Sequence, residues 1–96
     1  MPAAVLIYRT QTCPYCVAAA RFLREVKKVP IEEIDLTEDD AGRRDLARRT
    51  GRQTVPQIFV GPTHIGGYDD MRALDRAGKL DPLLRTLDGA PGAATR

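Results

Sequence analysis

Pro14 stands just after a short apolar run, Ala4 to Arg9, and at the head of an amphipathic stretch. A nearly continuous apolar run of that length suits a strand covered on both faces. Proline suits a first helical position, where its N–H would be unsatisfied anyway and its φ is already set. From there Ala19, Phe22, Leu23 and Val26 recur at helical spacing, and Lys27-Lys28 carry charges that suit a helix C-terminus. Pro30 restarts an extended run, Ile31 to Leu36. A strand, a helix and a second strand in so short a span imply a parallel pair joined by a right-handed crossover.

The remainder completes an α/β pattern. Thr37 is the expected N-cap of a helix that runs to Thr50, with Gly51 at its C′ position. Its apolar content is thin (Ala41, Leu46, Ala47), which predicts a surface helix. Asp39/Arg43, Asp40/Arg44 and Asp45/Arg49 are spaced as i, i+4 ion pairs. Gln57 to Val60 and a strand beginning at His64-Ile65 flank a turn at Gly61-Pro62-Thr63. Asp69 or Asp70 opens a third helix, with Met71, Leu74 and Ala77 inward and Gly78 as its stop. Asp81-Pro82 begins a last one. The order β-α-β-α-β-β-α-α predicts one mixed four-stranded sheet with helices on both faces. A single domain over residues 1–88 is expected, followed by a small, polar, flexible tail at 89–96.

Composition narrows the function. At 96 residues and 43% hydrophobic, the chain can build one core. A formal charge of +2 fits neither disorder nor a strongly basic nucleic-acid binder, and the absence of tryptophan argues against base stacking. No apolar run is long enough to span a membrane, and Met1 to Ala4 do not read as a secretory signal.

The two cysteines, Cys13 and Cys16, carry the chemistry. A stapled secreted domain would carry four or more cysteines, and with His64 the pair gives at most three of the four ligands of a structural zinc site. Redox chemistry in a reducing compartment remains. Two unpaired core cysteines, or a metal site shared between subunits, are the alternatives; Pro14 marks a helix start, where burial is least expected. Cys13 falls at the N-cap, where backbone N–H groups and the helix dipole favour thiolate. Cys16 lies on the same side of the first turn and more buried. Cys13 is thus the expected nucleophile and Cys16 the resolving thiol. Two other segments stand out. Thr54-Val55-Pro56 precedes the third strand; only about 5–6% of X–Pro bonds are cis in folded proteins, so the residues alone predict trans. Gly66-Gly67 runs into a helix whose free N–H groups could bind a carboxylate. There Asp69 could bind an ammonium or cap its helix, and on its own the cap is favoured.

Cys13-Pro14-Tyr15-Cys16, Thr54-Val55-Pro56-Gln57-Ile58-Phe59 and Ile65-Gly66-Gly67-Tyr68-Asp69-Asp70 together resemble the three defining motifs of the dithiol, bacterial class I glutaredoxins, in order and spacing. The resemblance covers about residues 4 to 87. It implies a thioredoxin-like fold with Pro56 cis beside the cysteines. It also implies a glutathione site that includes Tyr15, Thr54, Val55 and Pro56, with the Val55 backbone against the cysteinyl part, and Gly67, Tyr68 and Asp69 around the γ-glutamyl end, with Asp69 on its ammonium. Arg43 matches a position near the glycyl carboxylate, and a surface pair with Asp39 is its alternative. Arg52 is a second candidate for that carboxylate.

Two departures stand out. A lysine common three residues before the first cysteine is Thr10 here, with Arg9 beside it and directed to the opposite face. Tyr68 stands where close relatives often carry a third cysteine. His64 matches a common residue and is given a structural role. The implied activity is glutathione-dependent thiol–disulfide exchange on glutathionylated proteins and on disulfide-containing reductases such as ribonucleotide reductase. Glutathione is then the reductant, no cofactor or metal is permanently bound, and the chain acts as a cytoplasmic monomer. A thioredoxin-type reductase is one rival, opposed by Asp69 and the glycine pair. An iron–sulfur carrier is another, opposed by Pro14 followed by Tyr15.

Overall fold

The computed structural model describes residues 5–88. Its elements are β1 (Val5–Arg9), α1 (Pro14–Arg21), β2 (Ile31–Asp35), α2 (Asp40–Thr50), β3 (Gln57–Val60), β4 (Thr63–Gly66), α3 (Tyr68–Arg76) and α4 (Leu80–Asp88). The strands form one mixed sheet in the order β2-β1-β3-β4. β1 and β2 are parallel, Val5 opposite Ile31 and Arg9 opposite Asp35. β3 runs antiparallel to both β1 and β4. Ala4 and the expected tail at 89–96 lie outside the described residues.

Alternation along the strands gives the sheet two covered faces. Val5, Ile7, Ile58 and Val60 point to one side and pack with Ala19, Leu23, Met71, Leu80 and Leu84 of the helices. On the other side Tyr8 and Phe59 meet edge to face, ring centroids 5.7 Å apart. The Arg49 guanidinium of α2 lies over both rings, at 5.3 and 5.8 Å. Only Leu46 of α2 is fully buried, in keeping with its thin apolar content.

The structure corrects several expected boundaries. α1 passes into a π-helical segment, Phe22–Val26. A π turn is wider than an α turn, so a strict 3.6-residue period fails beyond it. Val26, expected inward, is 61% exposed. Lys27 then ends the segment, and its ammonium reaches Asp75 at 2.5 Å and Asp81 at 2.9 Å, joining this helix to α3 and α4. The N-cap of α2 is Asp39 rather than Thr37: Asp39 Oδ1 accepts the Gly42 N–H at 2.8 Å. Thr37 is turned back on β2, its N–H and hydroxyl both donating to Asp35 Oδ1. With Asp39 used as a cap, Arg43 pairs with Asp40 instead, so the expected Asp39/Arg43 pair is not formed and Asp40 is taken from Arg44. The Asp45/Arg49 pair forms at 3.0 Å. Gly51 ends α2 in the left-handed region, φ 73°. α3 begins at Tyr68, one residue before Asp69.

Asp39→Ala removes an N-cap acceptor and is expected to cost about 0.5–2 kcal/mol of stability, measured by urea unfolding.

Candidate functional site

The loop from Thr10 to Cys13 joins the C-terminal end of β1 to α1, so both cysteines lie where the strand meets the helix N-terminus. Cys13 is the N-cap, and its sulfur accepts the Cys16 N–H at 3.2 Å. The same sulfur lies 3.6 Å from the Val55 carbonyl oxygen, to which its thiol can donate. Cys13 is half-buried, whereas Cys16 is completely buried. Burial, then the hydrogen bond with Cys13, pushes the Cys16 thiol up to about 12. The two sulfurs are therefore unequal in access, as expected from their positions on the first turn.

The Val55–Pro56 bond is cis. This overturns the trans bond expected from the residues alone and agrees with what the resemblance implied. Buried Pro56 precedes buried Gln57, whose side chain fixes the loop before it. Gln57 Nε2 donates to the Thr54 carbonyl at 3.0 Å, and its Oε1 lies 2.7 Å from His64 Nε2. Because Nε2 of Gln57 is the donor, Oε1 must accept, so His64 carries its proton on Nε2. Burial, then the Arg52 charge, lowers the His64 pKa and keeps the ring neutral for this bond. His64 holds β4 to the Thr54 loop and is structural, as expected.

The glycine pair shapes the other wall. Gly66 has φ 113°, and a Cβ there would lie 2.5 Å from Asp70 Oδ2, so both conformation and space require glycine. Asp70, not Asp69, caps α3: its Oδ2 accepts the Gly67 N–H at 2.9 Å and the Arg52 guanidinium at 2.5 Å. The cap expected of Asp69 is thus supplied by its neighbour. Asp69 is left exposed at the helix end, beside N–H groups of the first turn that have no intrahelical acceptor.

These segments meet in a cleft of about 260 Å³ lined by Tyr15, Arg52, Thr54, Val55, Pro56, Gly67, Tyr68, Asp69 and Asp70. Eight of the residues singled out in the sequence, Arg52 among them, therefore converge. The Tyr15 and Tyr68 rings face each other across it, centroids 6.0 Å apart. Tyr68 is fixed from behind by Arg72, which donates to its hydroxyl at 2.8 Å. Arg43 does not line this cleft. It lies in an adjoining one of about 340 Å³ that shares Arg52, Thr54 and Val55. Its Nη1 donates to the carbonyls of Leu36 and Thr37, at 3.0 and 2.9 Å. Asp70 was missed as a site residue. Its signal was the capping spacing from Gly67, hidden because glycine has no side chain to mark an N-cap. Among the described residues no three His, Cys, Asp or Glu side chains cluster as metal ligands would.

A cysteine pair on the first turn of a helix, over a mixed four-stranded sheet and beside a cis proline, defines a thiol–disulfide oxidoreductase of the thioredoxin fold class. The glutaredoxin family model matches residues 5–65, and the chain belongs to that family. It is 51% identical over 80 residues to a glutaredoxin of Pseudomonas aeruginosa, covering 83% of this chain and 94% of that one. It is 48% identical over 81 residues to glutaredoxin 3 of Escherichia coli, covering 84% and 96%. The fold matches the crystal structure of a buckwheat glutaredoxin–glutathione complex with a TM-score of 0.80 and 29% identity, over 90% of this chain and 80% of that one.

The Arg52 hydrogen bond, then the Gly67 N–H, hold the Asp70 carboxyl below its ordinary value. A depressed carboxyl pKa stabilises the fold fully above the unfolded value, about 3.9, and ceases to do so as pH falls through the folded value. Asp70→Asn is therefore expected to be less stable than the parent at pH 7. The gap should close below about pH 4, as read from thermal melts across pH.

Proposed function

We propose that this chain is a glutathione-dependent oxidoreductase that reduces glutathione mixed disulfides through Cys13 and protein disulfides through Cys13 and Cys16 together. The observation that carries the reading is the inequality of the two sulfurs beside the cleft: Cys13 accessible next to Val55, Cys16 fully buried behind it. Cys13 attacks the sulfur of the glutathione moiety and the reduced protein thiol leaves. A second glutathione then clears the mixed disulfide on Cys13. With a protein disulfide, Cys16 attacks the Cys13 sulfur and releases the substrate thiol.

The cleft supports a tripeptide of glutathione's chemistry. The Val55 backbone can pair with its extended cysteinyl part, a short case of strand addition. The first-turn N–H groups of α3 suit the γ-glutamyl carboxylate, and the exposed Asp69 carboxylate suits the ammonium. Arg52, and Arg43 in the adjoining cleft, suit the glycyl carboxylate. The buckwheat relative was crystallised with glutathione, which favours the same ligand here. Glutathionylated proteins and disulfide-containing reductases such as ribonucleotide reductase are the partners this chemistry serves. A monomer in the cytoplasm, with its thiols kept reduced, suits it.

Activity on a glutathionylated peptide and on a protein disulfide, coupled to glutathione, tests the roles. Cys13→Ser should lose both activities; Cys16→Ser should keep the first and lose the second. Equal loss of the first activity in both variants would sink the assignment.

The glycyl end gives a second test. An exposed ion pair contributes about 0–1 kcal/mol, so Arg43→Ala should raise KM for the glutathionylated substrate about two- to fivefold with kcat nearly unchanged. Thr10→Lys should lower that KM. If neither variant changes it at low salt, the glycyl carboxylate is bound elsewhere.

A further inference from the structure

Arg72 lies one turn into α3, four residues after Tyr68, so the two share a face of the helix. Its Nη1 donates to the Tyr68 hydroxyl at 2.8 Å. Its guanidinium lies 4.6 Å from the Phe22 ring centroid and 5.8 Å from that of Tyr68. Beyond Phe22 comes the Lys27 ammonium, 5.6 Å from the same ring and paired with Asp75 and Asp81. With the Tyr15–Tyr68 contact at 6.0 Å, these groups form a row from Tyr15 through Tyr68, Arg72 and Phe22 to Lys27. The row joins α1 and its π-helical extension, which carry the cysteines, to α3, which carries the opposite wall of the cleft. The Arg72 Nε is buried with no hydrogen-bond partner among the described residues. An outward-turned side chain would escape that loss, so the aromatic contacts and the phenol bond are what hold Arg72 inward.

We propose that Arg72 is a positioning residue for glutathione that acts through Tyr68, pinning its ring as a fixed wall of the cleft opposite Tyr15. The proposal rests on the reading of the cleft as a glutathione site and names what keeps one side of it in place. Tyr68 is the first residue of α3, with no earlier turn of its own helix to lean on. Its ring packs in part against the core, and Arg72 fixes its hydroxyl end. A wall already fixed loses little side-chain entropy when a ligand arrives, whereas a ring free to swing must be ordered at that moment. The Tyr68 ring takes no part in the exchange of sulfur atoms, so this ordering cost falls equally on bound substrate and transition state. It therefore shows in KM and not in kcat. Arg72 itself does not line the cleft, which leaves the phenol as its route to the ligand.

Kinetics on a glutathionylated peptide, with glutathione as reductant, test this. Arg72→Met keeps an unbranched stem against Phe22 and loses the donor. It should raise KM about three- to sixfold with kcat nearly unchanged. Tyr68→Phe removes the hydroxyl that Arg72 holds and should raise KM by a similar factor. In the Tyr68→Phe background, Arg72→Met should raise KM no further, as expected of two residues that act through one contact. A parental KM in Arg72→Met, whatever its melting temperature, would leave Arg72 as packing only and overturn the proposal. The same rise from Arg72→Met in the Tyr68→Phe background would also overturn it, because the arginine charge would then act on the ligand directly. Failure of the glutathione reading looks different: the parent itself would turn over a cysteinylated peptide as readily as the glutathionylated one.

Discussion

The hydrogen bond from the Cys16 N–H to the Cys13 sulfur closes the first turn of α1 and at the same time holds the two thiols in register. A serine or aspartate could cap the helix as well, but neither can exchange a disulfide. Because the cap is the sulfur itself, the helix must begin at the chemistry, and Pro14 fixes that start. The second sulfur, one turn in, is then placed on the buried side. Access for one thiol and burial for the other follow from three residues of helical spacing, with no further machinery needed.

The opposite wall depends on a buried polar clamp. Gln57 is completely buried, which is costly for an amide unless its groups are bonded. Thr54 and His64 satisfy it on both sides. The clamp ties β4 to the residues preceding Pro56, so the Val55 carbonyl that faces Cys13 is set by a contact on the far side of the sheet. His64 thus bears on the site without touching it, and its lowered pKa keeps it a neutral donor to Gln57 across the ordinary working range.

Much of this was legible in the chain because local signals and global packing agree. Pro14, the short apolar runs and the Gly61-Pro62-Thr63 turn placed the strands and helices in sequence, and the short β1–β2 crossover made that pair parallel; the central place of β1 between β2 and β3 came from the structure. The failures share a cause: a side chain choosing among several partners at short range. Thr37 and Asp39 are both good caps, and only the geometry after β2, which brings Asp35 against Thr37, decides for Asp39. Arg43 had acids at both i−4 and i−3, and the capping of Gly42 by Asp39 leaves it the nearer one. The π-helical segment carries no sequence signal that hydrophobic period can register. The cis state of Pro56 was invisible to generic statistics and came only with the resemblance.

The division of labour at the start of α3 shows how a helix end can be stable and still open to ligand. An N-terminus normally spends its acidic residue on its own N–H groups. Here two adjacent aspartates separate the tasks. Asp70 turns back to Gly67 and is held further by Arg52, an anchor outside the helix. Asp69, one residue earlier, keeps its carboxylate exposed. Gly66 makes the separation possible, because a side chain there would collide with the Asp70 carboxylate and displace it from the cap. On the proposed reading, the glycine pair therefore acts on glutathione twice: it leaves the backbone donors uncovered for a carboxylate, and it keeps Asp69 available for the ammonium beside it.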